Sequence, residues 1–347
     1  MRVALLGVGL IGGSVGLAAR ERLGAHVTGW NRTRAALDAA LELGAIDEAV
    51  DSVADFRAAD VAIASVSVDA LPDAVRALCA ALPGAVVSDV GSTKQALIDA
   101  VDSANFIGGH PLAGAETTGV QSARADLFDG TIWYLTPRPG TPGVLYERLA
   151  RFIAAIGAVP TAIAPADHDR LMAAVSHLPH VVANLLVAQA TEALGGETLP
   201  ATGPSFRDAT RVAGSNPALW AQIYRANGAA LGAEIDDLVR RLTDVRALLH
   251  GDGDLEAWQD GAARQRRALL EVGLVGGPVR EIRVTVPNKP GVVADVALAL
   301  GRAGINISDM SLAPEADYAT GAIALWVPAG DAERAIELVT ELGYPAA

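Results

Sequence analysis

The chain has 347 residues, of which 51% are hydrophobic, and this length can form two or three domains with separate cores. Its 27 basic and 40 acidic residues give a formal net charge of −13. That balance argues against nucleic acid or an anionic membrane as the main partner, but it permits a small anionic substrate. The single cysteine, Cys79, excludes a disulfide within one chain and favours a reducing compartment.

The first 19 residues contain an apolar run that could be read as a secretion signal. Four glycines interrupt this run by Gly13, and their spacing has another explanation, given below. No other stretch resembles the roughly 18 uncharged, apolar residues of a membrane helix. We therefore expect a cytoplasmic protein without a membrane partner.

Short apolar runs alternate with helical stretches over the first 165 residues. The runs at 2–6, 25–30, 61–65, 85–90 and 105–111 are typical of buried strands. Strands that alternate with helices predict a parallel sheet covered on both faces. This pattern predicts an α/β domain over residues 1–165.

The pattern changes after Pro165. Residues 166–270 are helical in pattern, and one apolar stripe in them predicts either a core or a subunit interface: Leu231, Ile235, Leu238, Leu242, Val245 and Leu249. A Gly/Pro break at 275–280 ends this region. The order βαββα then predicts a small α+β domain. We predict a helical domain at 166–275 and an α+β domain at 280–347.

The first strand is followed by "GVGLIGGS", in which Gly7, Gly9 and Gly12 have the G-x-G-x-x-G spacing. This motif follows a strand and opens a helix, as in dinucleotide-binding domains. Gly7 would allow the tight turn, Gly9 the approach of a pyrophosphate, and Gly12 close helix packing. We therefore predict cofactor contacts from the three glycines and the intervening Leu10 and Ile11; the alternative is a plain tight turn.

The second strand ends at "TGWNRTR", where an NAD-binding chain usually has a carboxylate. Asn31 occupies that position, 19 residues after Gly12, and removes the repulsion of a 2′-phosphate. Arg32 and Arg34 follow, and guanidinium groups bind phosphate through forked hydrogen bonds. The stretch favours NADP. The alternative is NAD, with Asn31 serving the ribose and both arginines solvated.

Three separated segments place polar residues among small or apolar ones. Ser92 and Lys94 follow a strand, and His110 ends the next one, at the sheet edge where α/β proteins bind ligands. "VSHLPHVVAN" carries Ser176, His177 and His180, and the two histidines share a helix face if the helix continues through Pro179. A metal site is disfavoured because H-x-x-H supplies two ligands and nothing nearby completes a zinc pattern. The other alternative is that both histidines only cap or pack.

A fourth segment, "GPSFRDATRVAGSNPALW", carries Arg207, Asp208 and Arg211. One arginine would bind a substrate carboxylate in a forked pair. The alternative is an ion-pair cluster without a ligand.

Taken in order, "GVGLIGGS", "DVGSTK", "GHPLAGAE", "SHLPH" and "FRDATRVAGSNPALW" resemble the prephenate and arogenate dehydrogenases of tyrosine biosynthesis. The segment "VPNKPGVVADVALALGRAGINI" resembles an ACT-type amino-acid-binding domain. The resemblance implies a Rossmann-type dinucleotide-binding domain, an all-α dimerisation domain and a ferredoxin-like ACT domain. It departs at Ala115, where some relatives have a hydroxyl residue, and at "GYPAA", which leaves the last ACT strand short or missing.

The resemblance implies oxidative decarboxylation of prephenate to 4-hydroxyphenylpyruvate, or of arogenate to tyrosine, by a homodimer. His110 would accept the proton of the substrate hydroxyl, which a neutral histidine does near pH 7. Ser92 would position that hydroxyl, and Arg211 and His180 would bind carboxylates. The other expected contacts are Ser176, His177 and Glu116 to the substrate and Lys94 near the cofactor.

The ACT-like segment is expected to bind a free amino acid that inhibits the enzyme, with tyrosine as the favoured ligand. The expected contacts are Asn288, Gly291, Val292 and Asn306, because a Pro-Gly turn precedes a helix N-terminus that can hold a carboxylate. The alternative is a purely structural dimerisation module.

Two other classes remain possible from the sequence. An oxidoreductase acting on a 3-hydroxy acid usually has a catalytic lysine in its helical domain, and residues 166–270 contain none. A non-catalytic sensor of nucleotide and amino acid is disfavoured by the presence of His110, Ser92 and Arg211.

Overall fold

A computed structural model describes residues 1–113, 117–193, 195, 202–251, 253–272, 279–307, 309–314 and 319–347. The chain divides into two compact units. The first comprises Met1–Thr198 and Thr210–Val239, and the second Leu199–Ala209 and Arg240–Ala347. Glu116, Ala115 and most of the Gly/Pro break at 275–280 lie outside the described residues.

A five-stranded parallel sheet forms the centre of the first unit, as predicted. Its order is β3-β2-β1-β4-β5, and every pair is parallel. The strands are β1 (Arg2–Leu6), β2 (His26–Trp30), β3 (Glu48–Ala49), β4 (Val61–Ala64) and β5 (Val86–Asp89). The helices that follow them are α1 (Leu10–Leu23), α2 (Arg34–Glu42), α3 (Leu71–Ala81) and α4 (Gln95–Ala100).

Alternate residues of β1 enter opposite cores. Val3 and Leu5 belong to one buried cluster, and Ala4 and Leu6 to the other. Successive side chains of a strand point to opposite faces, so a strand buried on both faces is apolar throughout. This is why β1 reads as a continuous apolar run.

The run at 105–111 lies parallel to β5, as predicted, through the bridge between Val87 and Phe106. Two strands that the sequence analysis did not identify follow it. β6 (Gly108–Pro111) pairs antiparallel with β7 (Ile132–Thr136). The helix α5 (Gly143–Ala155) follows β7 and leads to β8 (Val159–Ala162), which pairs parallel with β7. In its described part, the connection from β6 to β7 has a 3₁₀ turn at Val120–Ser122 and no crossover helix. Since a parallel pair needs such a crossover, β7 returns in the opposite direction.

The region after β8 is helical, as predicted. Its helices are α6 (Pro165–Met172), α7 (Leu178–Ala193), α8 (Pro204–Thr210), α9 (Pro217–Ala226), α10 (Gly228–His250) and α11 (Leu255–Val272). A π turn at Ala173–His177 joins α6 to α7 just before Pro179, whose ring cannot make the ordinary helical hydrogen bond. A 3₁₀ turn at Arg211–Gly214 follows α8, and Asn216 caps α9 by accepting from the N–H groups of Ala218 and Leu219.

The continuous helical stretch Pro165–Ala193 has the length and apolar composition of a membrane span. Yet His168, Asp169 and His177 on this stretch are buried. Each of them hydrogen-bonds a residue outside the stretch. Within the predicted apolar stripe of α10, Leu231 is buried, whereas Leu242 and Leu249 are about 60% exposed in the single chain.

The C-terminal domain has its own core. Its elements are β9 (Val279–Pro287), α12 (Val292–Arg302), β10 (Asp309–Pro314), β11 (Thr320–Pro328) and α13 (Ala332–Glu341), and the antiparallel order is β10-β11-β9. The chain end adds a short fourth strand beside β9. Val284 bridges Ala346, and Arg283 and Ala347 exchange two main-chain hydrogen bonds. The last strand of this fold is therefore short but present.

Candidate active site

The glycines of the first loop differ in what surrounds them. Gly7 has φ 99°, and a Cβ there would lie 2.1 Å from the Ser65 carbonyl oxygen. A Cβ on Gly12 would lie 2.0 Å from the Gly7 carbonyl oxygen. Gly9 has no protein atom within 4 Å of its Cβ position. The fold therefore requires Gly7 and Gly12, whereas Gly9 keeps a surface open.

The open surface beside Gly9 fits a dinucleotide. Gly9 precedes α1 and provides no side-chain cap, so the N–H groups of the first helical turn can donate to a phosphate. Leu10 and Ile11 pack partly against the core beneath. A groove of about 490 Å³ runs from Gly9 along the ends of β1, β2 and β4, and its lining includes Asn31, Arg32 and Ser65.

The three polar residues after β2 have different partners. Asn31 Oδ1 accepts from the Val8 N–H at 3.3 Å, and its Nδ2 donates to Thr33 Oγ1 at 3.0 Å. Arg34 is 3.0 Å from Asp38 Oδ1 and does not line the groove. Arg32 lines the groove, and within the described part of the chain it makes no hydrogen bond or ion pair. Asn31 therefore stabilises the glycine loop through its hydrogen bond to Val8, and Arg32 is the cation in the groove that can bind a ligand.

Lys94 is fully buried, which contradicts its prediction as a cofactor contact. Its ammonium bonds the Asp89 carboxylate and donates to the Gly109 carbonyl oxygen at 2.7 Å. Burial lowers the Lys94 pKa, and Asp89 opposes that effect. The Asp89 carboxylate also accepts from the N–H groups of Gly91 and Gly109. Lys94 and Asp89 thus join the end of β5 to β6.

His110 lies on β6 against the start of the helical region. Its Nδ1 is 2.9 Å from His168 Nε2, and His168 Nδ1 is 2.8 Å from Asp169 Oδ1. The pKa of His110 is well below its ordinary value, chiefly through burial and further through the nearby charges of His168, Lys94 and His177. His110 is therefore neutral near pH 7, which a proton acceptor requires.

Asp169 is held by main-chain groups of the segment after β5. Its Oδ1 accepts from the Lys94 N–H at 2.7 Å, and its Oδ2 accepts from the Gln95 N–H at 2.8 Å. Sequence reasoning did not identify His168 or Asp169. Their only sequence signal is "DHD" at the start of a helix, and in the structure both side chains are buried. Buried polar side chains are paired, so this burial was the missing information.

The predicted histidine pair shares one face of the helix. His180 stacks on Trp220 with ring centroids 3.4 Å apart, and His177 meets the same indole edge-on at 6.0 Å. Asn227 Nδ2 donates to the Asp169 carbonyl oxygen and lies 3.0 Å from His177 Nδ1. Burial lowers the His177 pKa to about 4; the charge of Asp169 opposes this shift, and those of His168 and His180 add to it.

Arg211 is exposed at the start of the 3₁₀ turn. The His180 pKa is lowered by burial and then by the charge of Arg211, so the two side chains are electrostatic neighbours. Ser92 and Ser176 are partly exposed, one after β5 and the other in the π turn. Glu116 lies outside the described residues. The structure thus brings His110, His177 and the His168–Asp169 pair together, with His180 and Arg211 on the same face as His177 or close to it.

The candidate effector residues lie in the second unit. Asn288 and Val292 line a cavity of about 160 Å³ with Lys289 and Leu312. Gly291 has φ 97° and precedes α12 without a side-chain cap. Asn306 is exposed, precedes β10 and does not line this cavity. A ligand in the cavity would therefore contact Asn288 and the start of α12.

Known proteins match all three regions of the chain. Family models match residues 15–161 as the prephenate dehydrogenase nucleotide-binding domain, 164–260 as the prephenate dehydrogenase dimerization domain, and 280–343 as an ACT domain. The prephenate dehydrogenase of Bacillus subtilis is 28% identical, over 98% of this chain and 96% of its own. The cyclohexadienyl dehydrogenase of Zymomonas mobilis is 32% identical, over 73% of this chain and 90% of its own.

The chain belongs to the prephenate dehydrogenase family.

Two solved structures of the family are also similar. Prephenate dehydrogenase from A. aeolicus, in complex with hydroxyphenyl propionate and NAD+, superposes with a TM-score of 0.72 at 28% identity, over 78% of this chain and 98% of that one. Synechocystis arogenate dehydrogenase superposes with a TM-score of 0.66 at 27% identity, over 77% and 99%. As a member of this family the chain is an oxidoreductase with a nicotinamide dinucleotide-binding domain.

Proposed function

We propose that this family member catalyses the oxidative decarboxylation of prephenate to 4-hydroxyphenylpyruvate. The observation that carries the proposal is His110, a neutral imidazole on β6 of the dinucleotide-binding domain that is hydrogen-bonded to His168 and through it to Asp169. When bound in the groove beside Gly9, NAD(P)+ would accept a hydride from the ring carbon that bears the substrate hydroxyl. Loss of the ring carboxylate as CO2 then yields the aromatic product.

The residues of the chain would bind the substrate and move its proton. His110 Nε2 accepts the hydroxyl proton, and Ser92 orients that hydroxyl. Arg211 binds a carboxylate in a forked pair, and His180 contributes a second contact on the same side. Ser176, His177 and Glu116 complete the expected set around the substrate.

A dehydrogenase assay tests this function. Formation of reduced nicotinamide, followed by its absorbance, is measured with prephenate and with arogenate, each with NAD+ and NADP+. We expect turnover with prephenate; a preference for arogenate by kcat/KM would assign the chain to the alternative substrate. Absence of turnover with both substrates would support the non-catalytic sensor instead.

The variant His110→Asn tests the residue that carries the proposal. We expect kcat to fall at least about 10²-fold, the scale of general-base catalysis, with cofactor affinity unchanged because the glycine loop is intact. Near-normal turnover would remove His110 from the mechanism.

We infer a preference for NADP+ over NAD+, supported by Asn31 in place of a carboxylate and by the position of Arg32 in the groove. We also propose a homodimer in the cytoplasm, with domains at 1–165, 166–275 and 280–347. The exposed Leu242 and Leu249 on α10 support a subunit interface.

We propose that the ACT domain binds tyrosine and thereby inhibits the enzyme. The cavity beside Asn288 and the uncapped start of α12 support binding of an amino-acid carboxylate. Tyrosine should inhibit the full chain and not a chain that ends at Val275. Equal inhibition of both would mean that tyrosine competes in the active site.

A further inference from the structure

Asp169, His168 and His110 form a continuous hydrogen-bonded row from α6 to β6. The carboxylate of Asp169 accepts from two main-chain N–H groups, one at each oxygen. A main-chain N–H is always a donor, so both oxygens of Asp169 are acceptors. His168 Nδ1, at 2.8 Å from Oδ1, must therefore carry a proton.

This assignment propagates along the row. A neutral His168 with a protonated Nδ1 has a lone pair on Nε2. His110 Nδ1 lies 2.9 Å from that atom and must supply the proton of the bond. A neutral His110 then has its lone pair on Nε2, the nitrogen that points away from His168. The N–H groups of Lys94 and Gln95 thus fix the tautomer of His110 through Asp169 and His168.

His110 is poorly suited to remain protonated on both ring nitrogens after it accepts the proton of the substrate hydroxyl. Burial and the cationic Lys94 disfavour its imidazolium form. Among the described residues, the other titratable groups around it are His168 and Asp169 on α6, His177 in the π turn and Tyr134 of β7. Tyr134 is the register partner of His110, and its ring also contacts His168. Of the histidines in this set, His168 is the one whose ring is hydrogen-bonded to a carboxylate of the described residues.

We propose that His168 is a positioning residue that fixes the His110 tautomer and accepts the proton that His110 displaces. This proposal rests on the proposed function. The substrate O–H bond breaks as His110 Nε2–H forms; His110 Nδ1–H breaks as His168 Nε2–H forms. His110 stays neutral, and the new imidazolium of His168 lies against the Asp169 carboxylate. After product release the Nε2 proton of His110 passes to water, and the proton on His168 Nε2 returns to His110 Nδ1.

The variant His168→Gln distinguishes the two roles of His168, which are to fix the His110 tautomer and to accept the proton that His110 displaces. The glutamine carbonyl can still accept from His110 Nδ1–H, but an amide does not take up the proton. We expect kcat to fall at least about tenfold while KM stays within about threefold, because the substrate contacts remain. His26→Gln, at an exposed position on β2, is the matched control and should retain wild-type kcat. A kcat of His168→Gln within twofold of wild type would overturn the relay.

A second measurement uses the wild-type full chain without ligand. Ring ¹⁵N NMR at pH 7.5 should show neutral His110 protonated at Nδ1 and neutral His168 protonated at Nδ1, with resonances assigned by loss of signals in His110→Asn and His168→Gln. A proton on His110 Nε2, or an imidazolium at His168, would overturn the proposal. This readout needs no turnover, so it tests the tautomer that the relay requires even if neither substrate reacts and the proposed function fails.

Discussion

His177 should make the folded protein sensitive to mild acid. Its ring is 1% exposed, and its Nδ1 accepts from the Asn227 amide. In the folded protein its pKa is about 4, against an ordinary 6.5 in the unfolded chain. Below pH 6.5 the unfolded chain therefore binds more protons than the folded one, and the free energy of unfolding falls as pH falls.

The two pKa values give the size of the effect. The contribution of His177 is fully present above pH 6.5 and is lost as pH falls toward 4, with a total of about 3 kcal/mol. At pH 5 the loss is already about 2 kcal/mol. The lowered pKa values of His110 and His180 act in the same direction.

The variant His177→Gln isolates this contribution, because glutamine can accept from Asn227 and does not titrate. The free energy of unfolding is measured by urea denaturation at pH 7 and pH 5, followed by tryptophan fluorescence. Wild type should lose about 2 kcal/mol more than the variant between these pH values. His250→Gln, at an exposed position, should behave as wild type. Equal losses in wild type and His177→Gln, or a folded His177 pKa near 6.5 by NMR titration, would refute the reasoning.

Three further substitutions test the ligand-binding residues. Arg211→Ala should mainly raise KM for the substrate, because a carboxylate anchor contributes to binding before the transition state; an unchanged KM with lower stability would assign Arg211 to an ion-pair cluster. Arg32→Ala should weaken NADP+ binding about tenfold or more, corresponding to about 1.5–3 kcal/mol, and barely change NAD+ binding, as measured by cofactor titration. Arg34→Ala is its control, since Arg34 already pairs with Asp38; equal effects of the two would contradict the assignment. Gly9→Ala should leave thermal unfolding nearly unchanged and weaken cofactor binding, whereas Gly12→Ala should lower the thermal stability, because a Cβ at position 12 meets the Gly7 carbonyl and one at position 9 meets no atom. A larger loss of stability in Gly9→Ala than in Gly12→Ala would be inconsistent with this structure.

The sequence by itself determined the domain classes and the cofactor loop. The periods of strands and helices are local properties. The spacing of apolar residues along the chain was therefore sufficient to predict the parallel sheet, the helical region and the small α+β domain. The glycine spacing was informative as well, since Gly7 and Gly12 leave no room for a Cβ and Gly9 keeps its surface open for a cofactor. His110 could be placed at a strand end because strand polarity follows from chain order.

Only the tertiary structure decided what these residues contact. His110 meets His168 across 58 residues of sequence, and Lys94 meets Asp169 across 75. Such pairs depend on how α6 packs against the ends of β5 and β6, which no local pattern encodes. The same packing buries Lys94, which the sequence placed beside the cofactor. After β2, Arg32 lines the groove while Arg34 pairs with Asp38. A buried charge must find a partner, and the fold alone determines which groups are buried together.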